Sequence, residues 1–421
     1  MKKLYTLLLW GLLSPLLSIS QPLTLGTCYE LARENYPLVQ RYGLIAQSEQ
    51  YDLRHASSSY LPQISISGKA SYQTDVTTIP LSLPGIDIPT ISKDQYQIAA
   101  EVSQTIWDGG ATRAARKTIE AQGEVDRAQY EVDMYALRER IDNLYFGILL
   151  LDEQLRINTL FLNDLEVTLR RLSSYMENGV ANQADLDLVL VEQLGAKQAR
   201  TQLEANRKAY LTMLSAFVGQ PLDADTRLEK PSPESDPRIG SAELRPEMAL
   251  FNAMQQQLEE RRKSIRSTTM PRIGLFVQGG YGRPGLNMLE NDFKPFAIAG
   301  VRLSWNFGGF YTRRSDMRKI DVGLQQIEIN REVFLFNNNL RQLQLDAQYR
   351  KYRDIMQDDE QIILLRENIV RSSEARLANG TIDVSDLVRD LIAVQNARAN
   401  KAVHEIEMLQ TIYGIKNLTN N

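Results

Sequence analysis

One pattern is written twice along this chain, and the duplication limits the fold more than any single motif does. Pro37 and Pro62 are spaced like Pro246 and Pro271. A strand-like run follows the second proline of each pair, PQISISGKASY from Pro62 and PRIGLFVQGGY from Pro271. A second run then ends in an aromatic residue and two glycines, IAAEVSQTIWDGG in one half and IAGVRLSWNFGG in the other. Further on, NGVANQADL at Asn178–Leu186 mirrors NGTIDVSDL at Asn379–Leu387. Each half closes on an apolar-glycine string, AFVGQPL or TIYGIKNL. This order divides the chain into a first repeat at 21–220, a linker at 221–245 rich in Pro, Asp, Glu and Ser, and a second repeat at 246–421.

Each repeat opens with a helix and then carries two strands, expected at 62–74 and 95–107 in the first and at 271–282 and 294–307 in the second. From Ile64 the chain alternates: Ile64, Ile66, Gly68, Ala70 and Tyr72 face one way, and Ser65, Ser67, Lys69, Ser71 and Gln73 the other. Ile98, Ala100, Val102 and Ile106 alternate with Gln97, Glu101, Ser103 and Thr105. Ile273, Leu275, Val277 and Tyr281 oppose Arg272 and Gln278, while Ala297, Ala299, Val301, Leu303 and Trp305 oppose Arg302, Ser304 and Asn306. Runs of about ten residues with this period suit a soluble sheet or an outer-membrane strand. Trp107 and Trp305 end their strands in the same place, as an interfacial girdle requires, and Tyr72 and Tyr281 match near the opposite end. The polar face carries Lys69, Glu101, Arg272 and Arg302, the expected lining of a barrel lumen. Four strands cannot close a cylinder in lipid, so the membrane reading demands several copies: two, three or four would all give an allowed barrel.

Long helices fill the remainder. From Gly110 to about Leu172 no proline interrupts. Met134, Ile141, Ile148, Leu155, Leu162 and Leu169 form one seven-residue stripe, and Leu137, Leu144, Leu151, Leu165 and Leu172 a second, with Asn158 the one polar member. The corresponding helix, from about Tyr311 to Leu377, repeats the spacing in Tyr349, Met356, Ile363, Val370 and Leu377. A helix of about 63 residues spans roughly 95 Å, more than a compact domain needs. Gly179 and Gly380 mark the turns, and return helices begin near Ala184 and Ser385.

Composition removes several classes of function. There are 48 Lys and Arg against 52 Asp and Glu, so no basic excess favours nucleic acid. One cysteine and two histidines, His55 and His404, leave little for a metal centre, and no cofactor motif or catalytic constellation points to an enzyme. Gly280-Tyr-Gly-Arg-Pro-Gly285 fits a dinucleotide-binding pattern, but Pro284 follows and no helix opens, so it reads as a strand-to-loop turn. His55 is expected to pack on the first helix and His404 to lie on the surface of the last. Met1-Lys2-Lys3 followed by the Leu-rich run to Ile19 reads as a signal peptide over residues 1–20. Leu25-Gly26-Thr27-Cys28 resembles a lipid-attachment box, but Thr27 is large for it, and Cys28 is expected to be an inert thiol on the first helix.

Helix, strand, strand, long helix, glycine turn and return helix, duplicated behind a signal peptide, resemble the TolC family of outer-membrane efflux proteins. The strings that match are LTLGTCYELARENYPLV, the Leu61-Pro62 that ends the first helix, WDGG at Trp107–Gly110, and NGT-x4-DL at Asn379–Leu387. The resemblance runs from Leu23 to Leu418 and implies a homotrimer, with a twelve-stranded barrel in the bacterial outer membrane continued by a helical barrel through the periplasm. It further implies an exit duct that docks to a periplasmic adaptor protein and an inner-membrane pump. Drugs, metal ions and proteins all stay open as cargo. The loop from Gln73 to Asp94 and the loop from Gly282 to Asp292 then face the exterior, and the turns Asn178-Gly179 and Asn379-Gly380 are the expected adaptor contacts. Asp386 matches an acidic position that rings the tunnel entrance in the family. The position three residues later is Arg389, so a double acidic ring is not implied. Asp185 and Asp386 read equally well as charges that favour a helix N-terminus. An alternative without a channel is a coiled-coil scaffold whose sheet stays soluble.

Overall fold

The computed structural model describes residues 22–78, 90–177, 181–232, 242–288 and 290–420. The expected signal peptide lies outside the described residues, as does much of the first loop. The chain is helical apart from one sheet: α1 (Leu25–Asn35), α2 (Val39–Ser57), β1 (Gln63–Tyr72), β2 (Asp94–Trp107), α3 (Ala111–Glu177), α4 (Gln183–Val218), α5 (Pro246–Ser267), β3 (Arg272–Arg283), β4 (Lys294–Ser304), α6 (Gly309–Ala378) and α7 (Val384–Thr419). Helix, two strands, long helix and return helix thus occur twice. The opening helix is broken at Pro37, whose ring removes a donor and ends α1, with Tyr36 in extended geometry. No described helix is long and apolar enough to cross a membrane.

Two compact units divide these elements, and each draws on both repeats. One comprises residues 40–132 and 246–335. It holds the sheet, antiparallel in the order β1-β2-β3-β4, with the outer edges of β1 and β4 unpaired among the described residues. The WDGG string is the corner between β2 and α3. Asp108 is buried and its carboxylate accepts from Gly110 N at 2.9 Å, Thr112 N at 2.6 Å and the Tyr60 hydroxyl at 2.9 Å, so it caps α3. Gly109 has φ +71°, and a Cβ there would stand 2.3 Å from Met270 Cβ. That close approach excludes any larger residue. In the second repeat the side chain of Asn306 makes a similar contact, accepting from Gly308 N at 2.8 Å, but neither Gly308 nor Gly309 takes the left-handed conformation of Gly109 and Gly110.

The other unit comprises residues up to Val39, Asp133–Arg245 and Phe336–Asn421. Its core is built on the expected stripes of α3: Met134, Leu137, Ile141, Ile148, Leu151, Leu165 and Leu172 are buried, whereas Leu144, Leu155, Leu162 and Leu169 are half-buried. Asn158 is buried too, and its amide donates to Ala196 O of α4 at 3.0 Å. Cys28 is fully buried and desolvation pushes its thiol up to about 12, an inert group as expected. Part of the linker is fastened to this unit. Leu23 pairs with Leu228 as a parallel bridge, and the Tyr145 hydroxyl lies 2.8 Å from Leu23 O and 2.6 Å from Glu229 O. Arg207 of α4 donates to Ala224 O at 2.8 Å and Thr226 O at 3.0 Å and pairs with Asp152. Both histidine expectations fail. His55 is exposed on α2, and His404 is half-buried, its Nδ1 2.9 Å from the buried carboxylate of Asp359 on α6. A carboxylate withdrawn from water needs a donor, and His404 supplies it.

Candidate functional site

The sheet has two chemically opposed faces, set by its register. Ser65 lies opposite Glu101, Lys69 opposite Gln97, Glu101 opposite Gln278, and Gly274 opposite Arg302. Directly paired residues share a face, so Lys69, Glu101, Arg272 and Arg302 stand together. Arg302 reaches across to Glu101 with a two-pronged pair, Nη1 to Oε1 at 2.8 Å and Nη2 to Oε2 at 3.1 Å, and lies over the Phe276 ring at 4.6 Å. The opposite face is apolar and uncovered: Ile64 and Ile66 are 75% exposed, Val301 68% and Leu303 67%. Such a continuous apolar surface on an exposed sheet marks an interaction with something outside the chain.

Two features of the sheet depart from simple alternation. The register shifts between Thr105 and Trp107, so that Trp107 pairs with Ile273 and joins the apolar face although its number has the parity of Glu101. A bulge of one residue does this. Phe276, Phe296 and Ile298 fall on the charged face. Phe296 crosses Gly280, where a Cβ would meet its Cζ at 2.4 Å, and so fills a space that the glycine leaves.

The four expected girdle aromatics are all exposed, Tyr72 at 76% and Trp305 at 51% among them. Trp305 lies one residue past β4, contrary to a strand reaching 307; its indole donates to Thr269 O at 3.1 Å and its ring packs on Phe307 at 4.9 Å. At the other end Tyr281 stacks on Phe293 at 5.8 Å, and Phe293 on Tyr96 at 6.4 Å. Ser92 and Asn291 join the two loops there through bonds of 2.9 and 2.7 Å.

In the second unit the two helical hairpins meet at their turns. Leu165 and Leu172 of α3, Leu186 and Val189 of α4, Leu377 of α6 and Leu387 of α7 belong to one buried cluster. Asp185 and Asp386 each immediately precede a cluster member, so the packing brings these two positions to one end. Asp185 completes a capping box: Asn182 accepts from Asp185 N at 3.1 Å while Asp185 accepts from Asn182 N at 3.0 Å. Asp386 occupies the matching turn of α7 and pairs with Arg389 at 2.7 Å. Gly380 has φ +66°, with its N–H on Leu377 O at 2.9 Å and Thr381 N on Arg376 O at 2.9 Å, a left-handed helix end. Asn379 turns back to donate to Ala375 O at 2.8 Å. Asn178 and Gly179 lie outside the described residues. Among the described residues no group of three or more His, Cys, Asp or Glu could hold a metal ion.

Residues 28–220 match the outer membrane efflux protein family. No curated protein matches the chain in sequence. Among solved structures, the outer-membrane channel OprN is 14% identical, with 94% of this chain and 90% of that one covered and a TM-score of 0.69. The outer membrane protein VceC from Vibrio cholerae is 13% identical over 94% of this chain and 96% of its own, with a TM-score of 0.67. The Campylobacter jejuni CmeC outer membrane channel is 12% identical over 94% and 85%, with a TM-score of 0.66. The family match over the first repeat and the channel fold shared across both repeats bear out the resemblance read in the sequence: residues 28–220 are those of an outer membrane efflux protein, and the whole chain has the fold of the outer-membrane channels.

Proposed function

We propose that three copies of this chain form an efflux duct, a twelve-stranded barrel in the bacterial outer membrane continued by a periplasmic helical barrel. The observation that carries the reading is the sheet: four strands, one apolar face open to the surroundings, and two outer strands whose outward backbone edges have no partner among the described residues. Lipid tolerates no such edge. An even number of antiparallel strands leaves β1 and β4 running oppositely, so copies join edge to edge without breaking the alternation. A second support is α6, which leaves Ile355, Ile362 and Ile369 exposed at seven-residue spacing, a seam for a helix of another copy.

On this reading Lys69, Glu101, Arg272 and Arg302 line the water-filled lumen, and Trp107 and Trp305 mark one membrane boundary, Tyr72 and Tyr281 the other. The turns Asn178-Gly179 and Asn379-Gly380 receive a periplasmic adaptor, which links the duct to an inner-membrane pump. Asp185, Asp386 and Arg389 narrow the entrance. Transport here needs no bond chemistry, only a polar lumen and an entrance that opens.

The test is reconstitution of the purified protein in planar bilayers. Discrete conductance from a heat-modifiable oligomer supports the duct, and a monomer indifferent to lipid and released by osmotic shock overturns it in favour of the scaffold. Within a conducting trimer, Asp386→Asn alters conductance and its block by divalent cations; an unchanged trace removes Asp386 from the gate. Bulky residues at Gly380 that leave adaptor-dependent export intact remove that turn from the docking surface.

A further inference from the structure

The unit that carries the sheet has a set of arginines without an ion pair among the described residues, close in sequence to the tryptophan end of the strands. Between α2 and α3 lies a groove of about 390 Å³ whose wall includes Arg54, Arg116, Gln50, Ser58, Leu53 and Leu61. No acidic residue lines it. Arg54 and Arg116 are both exposed, and neither forms an ion pair among the described residues, although Arg127 of the same unit is held by Glu49 at 2.6 Å and Glu124 at 2.9 Å. Leu61, at the rim and two residues before β1, is 60% exposed.

The second repeat makes a comparable arrangement from different residues. Trp305, Phe307 and Phe310 form a chain of ring contacts at 4.9 and 6.3 Å, and Tyr311 beside them is 87% exposed. Arg313 and Arg314 follow at once on α6, again without an ion pair among the described residues.

The placement runs against helix electrostatics. A helix start favours negative charge, yet neither α3 nor α6 has an acidic residue in its first turn. Arg116 on α3, and Arg313 and Arg314 on α6, stand instead within the first two turns. They do not serve to cap these helices, since the Asp108 carboxylate already caps α3, and no acidic residue pairs with them among the described residues. Guanidinium presents a planar fork that matches phosphate oxygens. An apolar rim, exposed aromatic rings and unpaired arginines in one band match a lipid headgroup, with the rings at the acyl boundary and the arginines at the phosphates.

We propose that this band binds the phosphates of anionic phospholipids in the periplasmic leaflet, Arg54 and Arg116 in the first repeat and Arg313 and Arg314 in the second. The assignment rests on the membrane-barrel reading. The full-length oligomer is exchanged into lipid discs of phosphatidylcholine alone or with about one-fifth phosphatidylglycerol, and the lipids retained per oligomer are counted by native mass spectrometry. Two double variants, Arg54→Gln with Arg116→Gln and Arg313→Gln with Arg314→Gln, are compared with the charge control Lys208→Gln. Wild type and control retain phosphatidylglycerol over phosphatidylcholine. Each double variant weakens that retention by about fivefold per arginine removed, while its conductance in pure phosphatidylcholine stays at the wild-type level.

A wild type that enters neither lipid overturns the barrel reading and this inference with it. A wild type that inserts and conducts but retains both lipids equally overturns this inference alone. Inorganic phosphate that displaces the lipid and binds the same arginines in detergent equally well makes this a small-anion site and overturns the lipid assignment. Double variants whose oligomers fall apart, in a protein that shows no lipid preference, place a neighbouring copy over the groove and likewise overturn it.

Discussion

Asp142 on α3 offers a sharp test of how the helical unit is held. Its carboxylate is almost wholly buried and meets neutral donors, the Tyr29 hydroxyl from α1 and the Asn417 amide from α7 at 2.5 Å. Burial pushes its pKa up to about 6, and Glu139 pushes the same way; Tyr29, Asn417 and Arg138 pull it down without overcoming the desolvation. A raised carboxyl binds its proton more tightly when folded than when unfolded, so stability rises as pH falls through about 6 and the gain is complete only below the unfolded value of roughly 3.9. The whole effect is worth ~3 kcal/mol, of which roughly 1.3 kcal/mol falls between pH 7 and pH 5. That is a rise of a few degrees in melting temperature. Asp142→Asn preserves shape and cannot titrate, and a flipped Asn417 side chain restores a donor–acceptor match. Melting curves from pH 4 to pH 8 should therefore show wild type gaining on the variant as the solution is acidified. Parallel curves for the two proteins would refute the reasoning.

Three further outcomes follow from packing and backbone geometry. Leu387→Ala opens a cavity in the cluster where the hairpins meet, at a side chain with no exposure, and costs ~2–5 kcal/mol, read as earlier amide exchange at the start of α7. Gly109→Ala forces a Cβ to 2.3 Å from Met270 at a left-handed φ and lowers stability by ~2–4 kcal/mol, with part of the loss recovered by Met270→Gly; an unchanged melting temperature contradicts the corner described here. Arg207→Ala removes the donor to the carbonyls of Ala224 and Thr226, so limited proteolysis within 223–230 should accelerate while the sheet keeps its circular dichroism signal.

The hairpins and long helices were legible because their periods are, two residues for a half-exposed strand and seven for packed helices. Ile64 to Tyr72 and the α3 stripe from Met134 to Leu172 needed no tertiary information. Trp107 was misleading by number alone: one inserted residue reverses parity, and nothing local announces the bulge. Phe296 on the charged face follows from Gly280 across the register, a relation between residues far apart in the chain. For the same reason the Asp142, Tyr29 and Asn417 cluster was invisible, since three separate helices supply it. His404 was misjudged because its partner, Asp359, belongs to a different helix. Asp386 was found from its neighbours in sequence, but its pairing with Arg389 needed the helix turn that brings the two together.

The open edges of the sheet also bear on the life of a copy before it meets another. Strands β1 and β4 each present, among the described residues, a row of unpaired peptide donors and acceptors beside bare isoleucine, valine and leucine, the template on which aggregates grow. On the duct reading proposed above, a copy is consequently most vulnerable while it is alone, and the speed at which it finds its own kind, or a chaperone that shields those margins, decides whether it matures or precipitates.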